Sequence, residues 1–240
     1  MQKSVRNFVL LTLSALLSLA PAASAQSGSF IISQHGKPVG TASFNFVATP
    51  RGFDSTSLVR VAMQGLDYAL SKTERLSAAN HLRHVQLSAA VNGSAVTATA
   101  APDSAQILLN IAANGRASTT RLAPHTAAVF LPDFDPGALE TLLALAIAHD
   151  NRDLWAIIPK KAGSIEPIQL ATYADEQGFL DGKPVLVHHL VATIGSAKTE
   201  LFSGPENQLL QAELPQQGFA LVRNGFILNP PAKPGAPPAE

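Results

Sequence analysis

From Phe30 onward the chain alternates apolar and polar residues in short runs broken by turn residues, the period-two signature of half-buried β-strands. SFIISQ leads into a turn at His35-Gly36-Lys37, TASFNFVA places Phe44 and Phe46 on one face, and FDSTSLVRVAM follows a turn at Pro50-Arg51-Gly52. Asn92-Gly93 and Asn114-Gly115 each separate two such runs, and Asn-Gly is the strongest short hairpin signal because both residues tolerate positive φ. Past the middle of the chain the same grammar returns in PIQLATYAD, KPVLVHHLVAT, KTELFS, NQLLQAEL and GFALVRNGFIL. Turn spacing predicts about ten strands and no second domain.

One stretch breaks the alternation: LPDFDPGALETLLALAIAH, residues 131–149. Asp135 suits an N-cap, Pro136 the first helical position, and Phe134 can staple onto Leu139. At helical periodicity Leu139, Leu142, Leu143, Ala146 and Ile147 share a face that Leu145 widens, and only Glu140 and Thr141 are polar. The spacing predicts a helix over about 136–149, stopped at His149-Asp150-Asn151 by an Asn in the left-handed region. So apolar a helix cannot lie half in water. The expected fold is mainly β (α+β): a long antiparallel meander curled as a half-barrel around this single central helix. An outer-membrane barrel fits less well, because of the mid-chain helix, the few aromatics for interfacial girdles and the Pro-rich end.

The first residues, MQKSVRNFVLLTLSALLSLAPAASAQ, change the picture of where the protein works. Lys3 and Arg6 form a basic start, Phe8 to Leu19 an apolar run too short to span a bilayer comfortably, and Ala23-Ser24-Ala25 an A-x-A cleavage pattern. Residues 1–25 are therefore expected to be a signal peptide, 26–228 a single β-rich domain, and 229–240 (NPPAKPGAPPAE, with Asn229 first) a Pro-rich disordered tail. The expected location is periplasmic or secreted, without stable membrane insertion. With no Cys in the chain, neither a disulfide framework nor lipidation at a cleavage-site cysteine is available. Removing Lys3 and Arg6 leaves 15 basic residues against 17 acidic ones, with no concentrated basic footprint, so nucleic acid is not an expected partner.

The stretches HGKPVGTASFNF, GKPVLVHHLVATIG and KTELFSGPENQLLQAELPQQGFALVRNGF carry a resemblance to a group of exported bacterial proteins. In plan the chain is also similar to the periplasmic lipoprotein carriers and their outer-membrane receptors. That resemblance implies an open β half-barrel lidded by helices over an apolar cavity. The chain departs from it in offering one helix where the carriers use several.

No nucleophile elbow, P-loop, dinucleotide fingerprint or paired metal motif occurs, so function has to be argued from architecture. Neighbours on a strand face opposite ways, so His188 and His189 cannot ligate one metal; their apolar company makes His189 the inward one. His81 and His84 fall on opposite faces of a strand. Ser196 and Lys198 share a face, as a serine–lysine dyad needs, with nothing else in support. Asp133 and Asp135 read as turn and cap, and loss of a cap alone costs about 1 kcal/mol. The densest charge, His149, Asp150, Asn151, Arg152 and Asp153, follows the helix. The resulting expectation is a non-enzymatic protein that binds an apolar molecule, a lipid or a lipoprotein acyl chain, or a partner segment, in the concave face. Leu142, Leu145 and Trp155 would lie near the site and His149 and Arg152 at its rim, with no cofactor and no metal. The alternatives are a cell-envelope scaffold acting through its outer surface, or a hydrolase using His189 or His149. Export predicts that the protein recovered from a periplasmic extract begins at Gln26, checked by N-terminal sequencing; Met1 retained in a membrane fraction would refute it.

Overall fold

The computed structural model describes residues 26–160 and 163–229, so residues 1–25, expected to be a signal peptide, and most of the Pro-rich segment lie outside the described residues. The first half is an antiparallel meander of eight strands: β1 (Gln26–Gln34), β2 (Lys37–Thr49), β3 (Gly52–Met63), β4 (Leu66–Ser77), β5 (Leu82–Val91), β6 (Ser94–Asp103), β7 (Gln106–Ala113) and β8 (Arg116–Leu122). The Asn-Gly pairs behave as their chemistry demands: Asn92 and Gly93 take φ values of 49° and 80°, Asn114 and Gly115 of 51° and 73°. Short β9 (Ala127–Phe130) leads into helix α1 (Pro136–Ala148). Then come β10 (Leu154–Ile158), β11 (Ser164–Thr172), β12 (Glu176–Leu180), β13 (Lys183–Ile194), β14 (Ala197–Ser203), β15 (Leu209–Leu214), β16 (Phe219–Arg223) and β17 (Phe226–Leu228).

One long-range pairing unites the halves. β1 pairs with β2 on one edge and with β16 on the other, Phe30 standing opposite Arg223, so the strands form a single curled sheet that does not close into a barrel. The far end departs from a pure meander, because β9 and β10 are parallel, Ala127 opposite Leu154. A chain that leaves β9, passes through α1 and returns beside β9 is a strand–helix–strand crossover, which requires parallel strands. Among the described residues there are seventeen strands rather than about ten. Several connections are tight turns without a Gly or Pro doublet, such as that between β6 and β7, where Ser104 takes φ 54°.

The concave face buries Phe30, Ile32, Phe44, Val59, Leu70, Val85, Leu109, Leu201 and Leu221 in one apolar core that also takes in Leu139, Leu142, Leu143 and Leu145 of α1. The helix is buried from Pro136 to Leu143 and again at Leu145 and Ala146. Ile147, expected on the buried face, is 58% exposed, because the last turn emerges beyond the sheet. There Asp150 and Asn151 turn left-handed, and the Asn151 N–H donates to the Ala146 carbonyl at 2.7 Å, ending the helix. At the other end the first turn lies so close to β3 that a Cβ on Gly137 would sit 2.4 Å from Ser57 Oγ. A smaller apolar cluster of Val187, Phe202, Leu210 and Phe226 packs separately from this core. There β12 pairs with both β17 and the first half of β13.

Candidate functional site

On β3 and β4 the inward positions change character partway along. Tyr68, Leu70 and Leu76 face inward, yet Lys72 and Glu74 share their face, directly opposite Ser57 and Ser55 in the strand register. All four are buried, and the Lys72 and Glu74 side chains are wholly shielded from solvent. Lys72 Nζ lies 3.1 Å from Glu74 Oε2 and 2.7 Å from Asp135 Oδ2. Asp135 Oδ1 meanwhile accepts from the Gly137 N–H at 2.9 Å and the Ala138 N–H at 3.3 Å. One carboxylate therefore caps the helix and neutralises the lysine. Desolvation opposes the charge on Lys72, but Asp135 and Glu74 outweigh it and hold the ammonium above its ordinary range. Burial pushes Glu74 up, only partly offset by Lys72. Among the described residues Glu74 Oε1 and the hydroxyls of Ser55 and Ser57 have no hydrogen-bond partner, so the cluster is held in place at a cost.

A second buried acid sits on the other side of the helix. Glu140 accepts from the Leu209 N–H at 2.7 Å and from the side-chain amide of Gln26. Burial pushes its carboxyl up to about 7, against the opposing effects of the Leu209 hydrogen bond and Arg223.

The cavities of the concave face lie beyond the helix N-terminus. One of about 310 Å³ is walled by inward residues of β5, β6 and β7, among them Leu87, Ala89, Val91, Val96, Ala98, Ile111 and Ala113, with Tyr68 alongside. A smaller one of about 130 Å³ lies against Ile158, Ile194, Leu214, Leu221 and Leu139. Both are bordered by Leu131, Pro132, Asp133 and Lys160, so the segment entering α1 and the residue after Pro159 divide the space into two lobes. Lys160 Nζ and Asp133 Oδ1 are 2.6 Å apart at this divide, both partly exposed. The Tyr68 hydroxyl donates to the Asp133 carbonyl at 3.4 Å. Burial first, then the charges of Asp133 and Asp135, hold that phenol above its ordinary range, so it stays a donor. Phe134 takes φ 59°, unusual for a bulky residue, and its ring is fixed edge-on against Tyr68 and Phe219 at centroid distances of 6.0 and 4.8 Å. A broad trough of about 780 Å³ also lies along the outer face, lined by Ser43, Leu58, Arg60 and Ser71.

The residues expected to form a site are dispersed. Leu142 and Leu145 are 1% and 0% exposed, packed in the core and lining neither lobe. The Trp155 ring stacks on His125 at 3.6 Å. His149 lies at the C-terminal end of α1, away from the lobes, its ring 5.8 Å from that of His81. Arg152 pairs with Asp150 at 3.4 Å in solvent. His189 is the more buried of its pair, but its company is the smaller cluster: its ring stacks between Tyr173 and Phe202, 3.3 Å from Glu176 and 3.4 Å from Glu200. His188 reaches Asp175 at 2.9 Å. No group of three or more His, Asp or Glu among the described residues is arranged to hold a metal ion.

No family model, curated protein or solved structure matches the chain.

Asp135→Ala removes both cap and counter-ion, so it should cost about 3–5 kcal/mol rather than the 1 kcal/mol of a cap alone, read by urea titration. Glu140 titrates the other way from a salt-bridged acid. Its folded pKa is raised, so the folded state binds the proton more tightly and stability falls as pH climbs from about 4.5 to about 7. The stability difference between wild type and Glu140→Gln should therefore shift by on the order of 3 kcal/mol across that window, against wild type at higher pH; a constant difference would show Glu140 to be unshifted.

Proposed function

We propose that this is an exported, non-enzymatic protein that takes an apolar molecule, a lipid or the acyl chain of a lipoprotein, in the concave face of its curled sheet. The observation that carries this is the cavity of about 310 Å³ beyond the helix N-terminus, walled by apolar side chains and meeting a few polar groups at one border. Concave apolar space with a handful of placed polar groups is the usual form of a small-molecule site. The site sits at the Asp135 end of α1, against Tyr68, Ala98, Leu131 and Lys160, rather than around Leu142 and Trp155. A scaffold acting through its outer surface is the second reading, favoured by the outer trough and by the exposed Leu58 within it.

Each methylene buried contributes roughly 0.8 kcal/mol, about fourfold in affinity. Isothermal titration with alkyl chains from octyl to hexadecyl on one constant head group should show affinity climbing by that step until the lobes are full. Ala98→Phe should abolish the climb while leaving the circular dichroism spectrum unchanged. A flat response from folded protein favours the scaffold.

A further inference from the structure

We infer that the ligand is a neutral single-chain amphiphile, carrying a hydroxyl or ester head rather than a carboxylate, phosphate or amine. The inference rests on the cavity being an apolar-ligand site, and what selects the head is the charge pairing at its border. Lys160 is the cation that lines both lobes, and its Nζ is already 2.6 Å from Asp133 Oδ1. An anionic head at Lys160 also lies beside the Asp133 carboxylate, while Asp135, which lines the smaller lobe, is already paired with the buried Lys72. A cationic head approaching Asp133 meets Lys160. At this partly exposed border each charge already has its partner, so an ionic head finds no uncompensated charge to pair with and gains little there over water.

What the border does offer is neutral. The Tyr68 hydroxyl makes only a long contact of 3.4 Å to the Asp133 carbonyl, beyond the ordinary range for an O–H donor, so a ligand oxygen can take it over. The Ser118 side chain lines the same lobe with a second hydroxyl. The remaining wall of the larger lobe, including Ala89, Ala98 and Ala113, has no side-chain donor or acceptor, which suits an unbranched hydrocarbon chain.

The test is titration of the folded protein with 1-lauroylglycerol, laurate and dodecylamine, each below its micelle concentration. The glycerol ester should bind at least about ten-fold more tightly than either ion. Asp133→Asn releases Lys160, so laurate should gain about ten-fold while the amine gains nothing. Tyr68→Phe should weaken the ester and leave laurate unmoved; circular dichroism and urea titration establish that both variants fold. Laurate or dodecylamine matching the ester on wild-type protein, or laurate indifferent to Asp133→Asn, overturns the inference while leaving the apolar site standing. Silence of all three probes overturns the apolar site itself.

Discussion

The contact between Lys72 and Asp135 is the one on which the rest of the arrangement depends. A helix clothed in Leu and Ala all round has many near-equivalent ways to lie against an apolar sheet, because interchangeable side chains of similar volume specify position weakly. Asp135 removes that freedom at the helix start by binding the first-turn N–H groups and the β4 lysine together. Glu140 does so one turn later, through the Leu209 N–H of β15 in the second half and the Gln26 side chain of β1 in the first. The helix is thus tied to both halves of the sheet by buried acids. Buried pairs of this kind contribute little stability relative to a well-packed apolar substitute; what they supply is one setting among many.

Fixing Asp135 fixes what precedes it. Leu131 to Phe134 must cross the open end of the curl to reach the cap, and the Phe134 ring, wedged between Tyr68 and Phe219, holds the left-handed backbone that the crossing requires. The helix fills the curl from Pro136 onward, so the larger lobe receives no helical side chain and the smaller one only Leu139. The inward positions facing that space on β5 to β7 include Ala89, Ala98 and Ala113, too small to fill it from the sheet side. The two lobes follow from where the helix starts.

Local chemistry made much of this legible in the sequence. The Asp135-Pro136 start, the Asn-Gly hairpins and the alternation of Phe44 and Phe46 depend on neighbours within a few residues, and mainly β structure around one helix follows from them. The buried charge pair was missed, although a signal was there: Lys72 and Glu74 fall in phase with Tyr68, Leu70 and Leu76, so alternation puts them on the apolar face. The pairing of β1 with β16, which joins Phe30 to Arg223, was not legible, since nothing local to either residue encodes the other. The position of the lobes depends on that pairing and on the parallel β9–β10 crossover. Leu142 and Leu145 stood out for apolarity, and apolarity marks what a fold fills rather than what it leaves open.

The open space is itself informative. A sealed void of the larger lobe's 310 Å³ would cost about 7 kcal/mol at the rate measured for core cavities, comparable to the whole stability of an ordinary domain. Leu in place of Ala at several inward positions of β5 to β7 would fill much of that void while keeping the alternation intact. The chain instead carries Ala98 and Ala113 there and places polar residues, Asp133 and Lys160, at the border, so the space stays in contact with solvent when empty. An apolar surface kept open in this way gains from any molecule that covers it, and such a molecule stabilises the fold by mass action, since it binds the folded chain and not the unfolded one. The same small side chains that leave the fold underfilled are what give a ligand something to bury.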